Sequence, residues 1–393
     1  MPKRSRVREQ HIAVFGESGS GKTVLVSSFF GPTQEGTYRN ELWDLVADDT
    51  GQGNRLNQNY LGMRDRSTVP TATRFKATAY SFTVQLKGAF DAESKRQPFD
   101  ALRLVWHDYP GEWFEEEPSS EEERRRRVET FFSLLRSDVA VLLVDGQKLL
   151  DHAGEEERYL KSLFANYRQG ILRLKEDLLR NDDRLIEFPR IWIIALSKSD
   201  LFPDWDVYAF RDLVVGRAAA DVERLHETIQ GIVETPEALS VGEDFLILSS
   251  AEFEAGADAA PRGIDVTRRV GLDLILPIAA ILPLERRAMW ERRMEIPRQV
   301  LDKMADGAEV IAAVLAGSSL VNRVATKVPR IGPMAKHVVL PLLVAATRVS
   351  GTKLKDLNAK ARDNHDYVTA TLTQFKLDLE RGESDRLLLR SIR

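Results

Sequence analysis

Gly16-Glu17-Ser18-Gly19-Ser20-Gly21-Lys22-Thr23 decides how the rest of the chain is read. It completes the pattern G-x-x-x-x-G-K-[ST]. The apolar run Ile12-Ala13-Val14-Phe15 precedes it, and the helix-capable stretch Thr23 to Phe30 follows, which is the strand–loop–helix setting the motif needs. Glycines let the backbone turn so that successive N–H groups face one anion, and the start of the helix adds its dipole. In such a loop Lys22 reaches the outer phosphates of a nucleoside triphosphate and the Thr23 hydroxyl binds Mg²⁺.

Outward from this loop, apolar runs alternate with helical patterns as far as about residue 255. Strands are expected at 11–15, 77–86, 102–107, 139–144, 190–196 and 244–248. The alternation predicts an α/β fold of the P-loop NTPase type with a mostly parallel sheet, whose ligand sits beyond the carboxyl ends of the strands. Two stretches exceed what such a domain needs: 31–68, with a helical core near 53–64, and the charged amphipathic 154–181, where Leu160, Phe164, Tyr167 and Ile171 recur at helical spacing.

A phosphate loop alone does not choose a base; the motifs downstream do. Asp108-Tyr109-Pro110-Gly111 follows the strand at 102–107 and forms D-x-x-G. Its Asp108 is placed to hold Mg²⁺ and its Gly111 N–H to meet the γ-phosphate. Ser197-Lys198-Ser199-Asp200 follows the strand at 190–196. It departs from N-K-x-D only in Ser197. The Asp200 carboxylate can accept from guanine N1–H and the 2-amino group, which adenine lacks, while the Lys198 stem packs along the base. Ser249-Ser250-Ala251 follows the next strand, where the Ser250 and Ala251 backbone can approach guanine O6.

In order and spacing these elements resemble the Ras-like, TRAFAC-class GTPases over residues 10–255. The string Asp108-Tyr109-Pro110-Gly111-Glu112-Trp113, with the helical insertion before the second strand, is also similar to YcjX-like bacterial GTPases. The resemblance implies a Ras-like G domain that binds GTP and GDP with Mg²⁺ and hydrolyses GTP slowly. It implies a first-switch threonine, for which Thr71 and Thr73 both qualify, and a water-orienting residue after Gly111, here Glu112 instead of glutamine. Arg64, Arg66 and Arg74 flank the first switch, where one could serve as an arginine finger. The expected nucleotide set is Gly16, Ser18, Gly19, Ser20, Gly21, Lys22, Thr23, Val24, Gly111, Ser197, Lys198, Asp200, Ser250 and Ala251. Metal ligands are expected from Thr23, Thr71, Thr73 and Asp108, and catalytic roles from Lys22, Thr71 and Glu112.

Composition bounds the rest. The 393 residues include 60 acidic and 56 basic side chains, a balance that argues against nucleic acid as a partner, and no cysteine, which excludes disulfides and thiolate chemistry. The basic N-terminus lacks an apolar segment and no run of 18 apolar residues occurs, so a cytoplasmic protein is expected, with peripheral membrane contact as its variant. Composition changes near residue 265. It divides the chain into a GTPase domain at 1–265 and a helical effector region at 266–393, with Pro277 and Pro283 breaking an apolar run at 271–284. Residues 310–355 carry seven Lys/Arg and no Asp or Glu. That segment reads either as a surface for an anionic membrane or as a bundle that packs on the domain or binds a protein effector. A GTP switch is the leading functional reading; a dynamin-like membrane GTPase and a nucleotide-bound scaffold are the alternatives.

Overall fold

The computed structural model describes residues 7–70, 78–87, 101–108, 120–135, 137–179, 184–186, 188–254, 263–293 and 351–391. The chain begins with β1 (Val7–Phe15) and α1 (Lys22–Phe30). The first insertion supplies β2 (Trp43–Ala47) and α2 (Thr50–Arg66), and the antiparallel strand β3 (Thr78–Leu86) leads to β4 (Ala101–Asp108). Next come α3 (Glu121–Leu135), β5 (Val139–Asp145), the short α4 (Gly146–Asp151), α5 (Glu156–Leu178) and β6 (Ile191–Ser197). They are followed by α6 (Val207–Gln230), β7 (Ser240–Ile247) and a hairpin of β8 (Glu252–Glu254) and β9 (Gly263–Asp265). The described C-terminal elements are α7 (Ile275–Arg293), α8 (Gly351–Asp363), α9 (Tyr367–Ser384) and β10 (Leu388–Leu389).

Eight strands form one sheet in the order β10-β7-β6-β5-β1-β4-β3-β2. Its centre, β7-β6-β5-β1-β4, is parallel; β2, β3 and β10 join antiparallel. Parallel strands are covered on both faces and therefore read as continuous apolar runs, as β5 and β6 do, every residue of each being buried. Side-chain alternation splits β1 between two cores: Ile12 and Val14 face one, Ala13 and Phe15 the other. The second is closed by α3, α5 and α6, with Leu160, Phe164, Tyr167 and Ile171 packed inward.

All six expected strands are present with small shifts at their ends. The short edge strands β2 and β10 were not legible, because pairing rather than an apolar run defines them. The proline break also fails: α7 continues through Pro283. Pro277 lies in its first turn, where no helical N–H is needed, and burial of Ile278, Ile281, Leu282 and Leu284 to 1% exposure or less offsets the bond lost at Pro283.

The composition change near 265 marks no gap in packing. Leu272, Ile278, Leu284, Phe375, Leu379 and Leu388 share a core with Ile12, Val14 and Phe29. Across it, α9 reaches from Trp43 on the β2 edge, where it stacks Phe375 edge-on, toward β10 at the other edge. Residues 310–350 lie outside the described residues. Among the described residues no helix is long and apolar enough to cross a membrane.

Candidate nucleotide-binding site

The phosphate loop leaves the carboxyl end of β1 at the centre of the sheet. Gly19 and Gly21 take φ of 81° and 90°, a region costly for side-chain-bearing residues, and Gly21 caps α1 in that conformation. The Lys22 ammonium lies inside the loop and donates to Gly16 O (2.6 Å) and Glu17 O (3.0 Å). The Thr23 hydroxyl lies 3.5 Å from Asp108 Oδ2 at the end of β4. The donor set there is hydroxyl plus carboxylate oxygen, which suits a hard cation such as Mg²⁺. Beside it His107 is buried and held at a pKa of about 4, by burial first and then by the neighbouring His11, so its ring is neutral near pH 7.

Two strands away, β6 ends at Ser197, whose hydroxyl donates to Val144 O on β5 (3.3 Å). Lys198 adopts a left-handed φ of 55°, a strained conformation for a lysine. Its ammonium meets the Asp145 carboxylate at 2.8 Å. The turn fits because Gly146 carries no Cβ: one there would stand 2.6 Å from Ser197 O. Asp200 Oδ1 accepts from the Ser249 hydroxyl (2.7 Å) and Oδ2 from Phe253 N–H (3.4 Å). Burial raises the Asp200 pKa, and these hydrogen bonds work against it. Ser249 has a second acceptor, Ala251 O, at 2.7 Å. One hydroxyl proton cannot serve both, so a ligand that satisfies the Asp200 carboxylate would release it to Ala251.

A family model, Double-GTPase 2, matches residues 10–232, more than half of the chain. The chain belongs to the Double-GTPase 2 family. It is therefore a GTP-binding P-loop protein, on a mostly parallel α/β sheet. Closer kinship with the YcjX-like proteins is not established by this match. Among solved structures, the signal recognition particle receptor SRb-GTP/SRX complex from Chaetomium thermophilum matches at 18% identity, covering 64% of this chain and 94% of that chain with a TM-score of 0.32. No curated protein matches.

In this Double-GTPase 2 member the sequence-selected residues Gly16, Ser18, Gly19, Ser20, Gly21, Lys22, Thr23, Val24, Asp108, Ser197, Lys198, Asp200, Ser250 and Ala251 all lie at or just beyond the carboxyl ends of β1, β4, β6 and β7. Thr71, Thr73, Arg74, Gly111 and Glu112 lie outside the described residues. Arg64 is occupied at the end of α2 by Glu35 (2.9 Å) and Asp65 (2.6 Å). Sequence reasoning gave no role to Asp145, to the Ser249 side chain or to Phe253, which hold Lys198 and Asp200. It also gave no role to Glu17 within the phosphate loop, or to Lys148 and Tyr159 beside it. An aspartate at the end of a fully apolar strand and just before glycine was a usable signal for Asp145; the others become visible only through long-range contacts.

Proposed function

We propose that the protein is a guanine-nucleotide switch that hydrolyses GTP to GDP with Mg²⁺ and couples its nucleotide state to a protein partner. What supports this reading is one arrangement: the phosphate-loop Lys22 after β1 and the carboxylate of Asp200 after β6 lie beyond the carboxyl ends of parallel strands of one sheet. Lys22 and the loop amides would bind the β- and γ-phosphates and stabilise charge as it spreads toward the leaving oxygen. To do so Lys22 needs only to extend from the carbonyls it holds now. Asp200 would accept from guanine N1–H and the 2-amino group, with Lys198 along the ring and the Ser250 and Ala251 backbone near O6. Thr23 and Asp108 would hold Mg²⁺, joined by Thr71 or Thr73; when bound, the ion neutralises phosphate charge. Glu112 would orient the attacking water.

Competition binding and phosphate release test this. GTP should displace a labelled GDP at least about 100-fold better than ATP, the effect of two charge-assisted hydrogen bonds. Phosphate release should be slow and depend on Mg²⁺. Glu112→Gln should change turnover several-fold with GTP affinity nearly constant. Equal displacement by ATP removes the guanine assignment; no release above buffer leaves a nucleotide-bound scaffold.

A further inference from the structure

Between the phosphate loop and the base-reading strand a continuous polar path runs through a residue of α5. Tyr159 is 6% exposed and its hydroxyl sits between two segments. On one side it accepts the backbone N–H of Asp145 at 3.0 Å. An amide can only donate, so the single phenol proton is directed the other way, to Glu17 Oε2 at 3.3 Å. The Asp145 carboxylate holds Lys198 at 2.8 Å, and the Glu17 carbonyl accepts Lys22 at 3.0 Å. The path that persists once Lys22 turns to phosphate thus reads Glu17 of the phosphate loop, Tyr159, Asp145, Lys198. Lys148 on α4 grips the same Glu17 oxygen at 2.9 Å but lies beside the path, not on it.

We propose that Tyr159 is a positioning residue that fixes the phosphate loop relative to the base-reading strand, so that the two ends of a guanine nucleotide are bound jointly and not as independent fragments. This rests on the nucleotide site described above. Three features favour such a role. The phenol is buried and bonded on both sides, to the Asp145 amide and to the Glu17 carboxylate. Its ring is fixed by stacking on His152, with centroids 5.6 Å apart and planes 20° from parallel. Burial first, and then the Glu17 carboxylate, push its pKa up, so it keeps the proton that the path needs. Tyr159 is also anchored outside the phosphate-loop motif, on the long α5.

The test uses three ligands: GDP, guanosine and pyrophosphate. Tyr159→Phe keeps the ring and removes the hydroxyl. GDP affinity should fall about tenfold, about 1.4 kcal/mol, while guanosine and pyrophosphate, each free to settle on its own loop, should lose less than about twofold. Glu17→Ala cuts the same path from the loop side and should give the same pattern. The double variant should lose no more than either single one, because both break one connection. Lys148→Met should leave the ratio of GDP loss to fragment loss near one. If Tyr159→Phe does not fold, Glu17→Ala carries the test alone. GDP affinity within twofold of wild type in both variants overturns the proposal, and so do equal losses for GDP and its fragments. Wild-type protein that binds no GDP overturns instead the functional reading on which it rests.

Discussion

Two sets of charged side chains lie within this protein, and they are built in opposite ways. At the C-terminal end of the structure Asp244 and Arg286 pair at 0% and 1% exposure, and Asp244 also accepts Ser391 N–H (2.8 Å) and the Ser240 hydroxyl (2.9 Å). Close by, Glu285 takes Lys376 (3.0 Å) and Arg390 (2.6 Å), and Arg390 makes a second, two-pronged contact with Glu383. The links from Asp244 to Arg286 and Ser391, and from Glu285 to Lys376 and Arg390, join segments 42 to 147 residues apart, and the charged groups they join are at most 15% exposed. At the nucleotide site Lys198 and Lys148 keep about a third of their side chains exposed, while their partners Asp145 and Glu17 are sunk into the fold. The first set closes on itself and holds the chain together. The second is anchored from behind by buried carboxylates and leaves part of each lysine open to solvent.

The difference can be broken from either side. The largest effect belongs to the closed set: Asp244→Ala leaves Arg286 buried without its main counter-charge and should cost about 3–5 kcal/mol of stability. Denaturant unfolding would report it, with GDP affinity of the folded protein unchanged. Lys22→Ala should do the reverse. GTP affinity should drop by about 100-fold or more, about 2.7 kcal/mol, with thermal unfolding of the free protein close to wild type. Should Lys22→Ala instead unfold the protein, the contrast between the two sets collapses.

The smallest effect sharpens the comparison, because one substitution acts in both directions. Asp200→Asn should weaken GTP by about 10- to 100-fold and favour a xanthine nucleotide, whose 2-oxo group needs a donor. Without nucleotide it should stabilise the fold. The Asp200 pKa is raised above its ordinary 3.8, chiefly by burial. Its contribution favours the fold below that ordinary value and is lost as pH rises through the folded value, so ionised Asp200 is a net cost at pH 7. Removing the charge should raise the melting temperature by about 1–3 °C at pH 7, and the gain should shrink toward zero near pH 4. A gain that persists undiminished at pH 4 would show that Asp200 is not strained by its charge.

The site motifs were readable because each is contiguous: eight residues for the phosphate loop, four for Ser197–Asp200. The central strands were readable because burial on both faces writes itself as an unbroken apolar run. What escaped follows from the same physics. Asp145 and Lys198 meet across 53 residues, and Tyr159 and Glu17 across 142, with residue types that are common everywhere. Strand β2 alternates buried and exposed positions over only five residues, and β10 is shorter still. The prolines in 271–284 read as a break because local propensity is all a sequence window offers, whereas in the fold α7 is packed on nearly every side. Across the change of composition at 265 the described residues share one core, a long-range contact that composition does not record.

Strand β10 has a further consequence, for the order in which the protein can be made. Phe29 and Phe82 belong to the same core as Leu372, Leu379 and Leu388. A ribosome adding about 5–20 residues each second needs about 20–70 s to pass from the first of these positions to the last. Through that interval one face of the emerging sheet has no cover from α9, and the β7 edge has no partner strand. A nascent chain in that state presents an unpaired strand edge and an uncovered apolar face, the two features that favour aggregation before the C-terminal segment arrives.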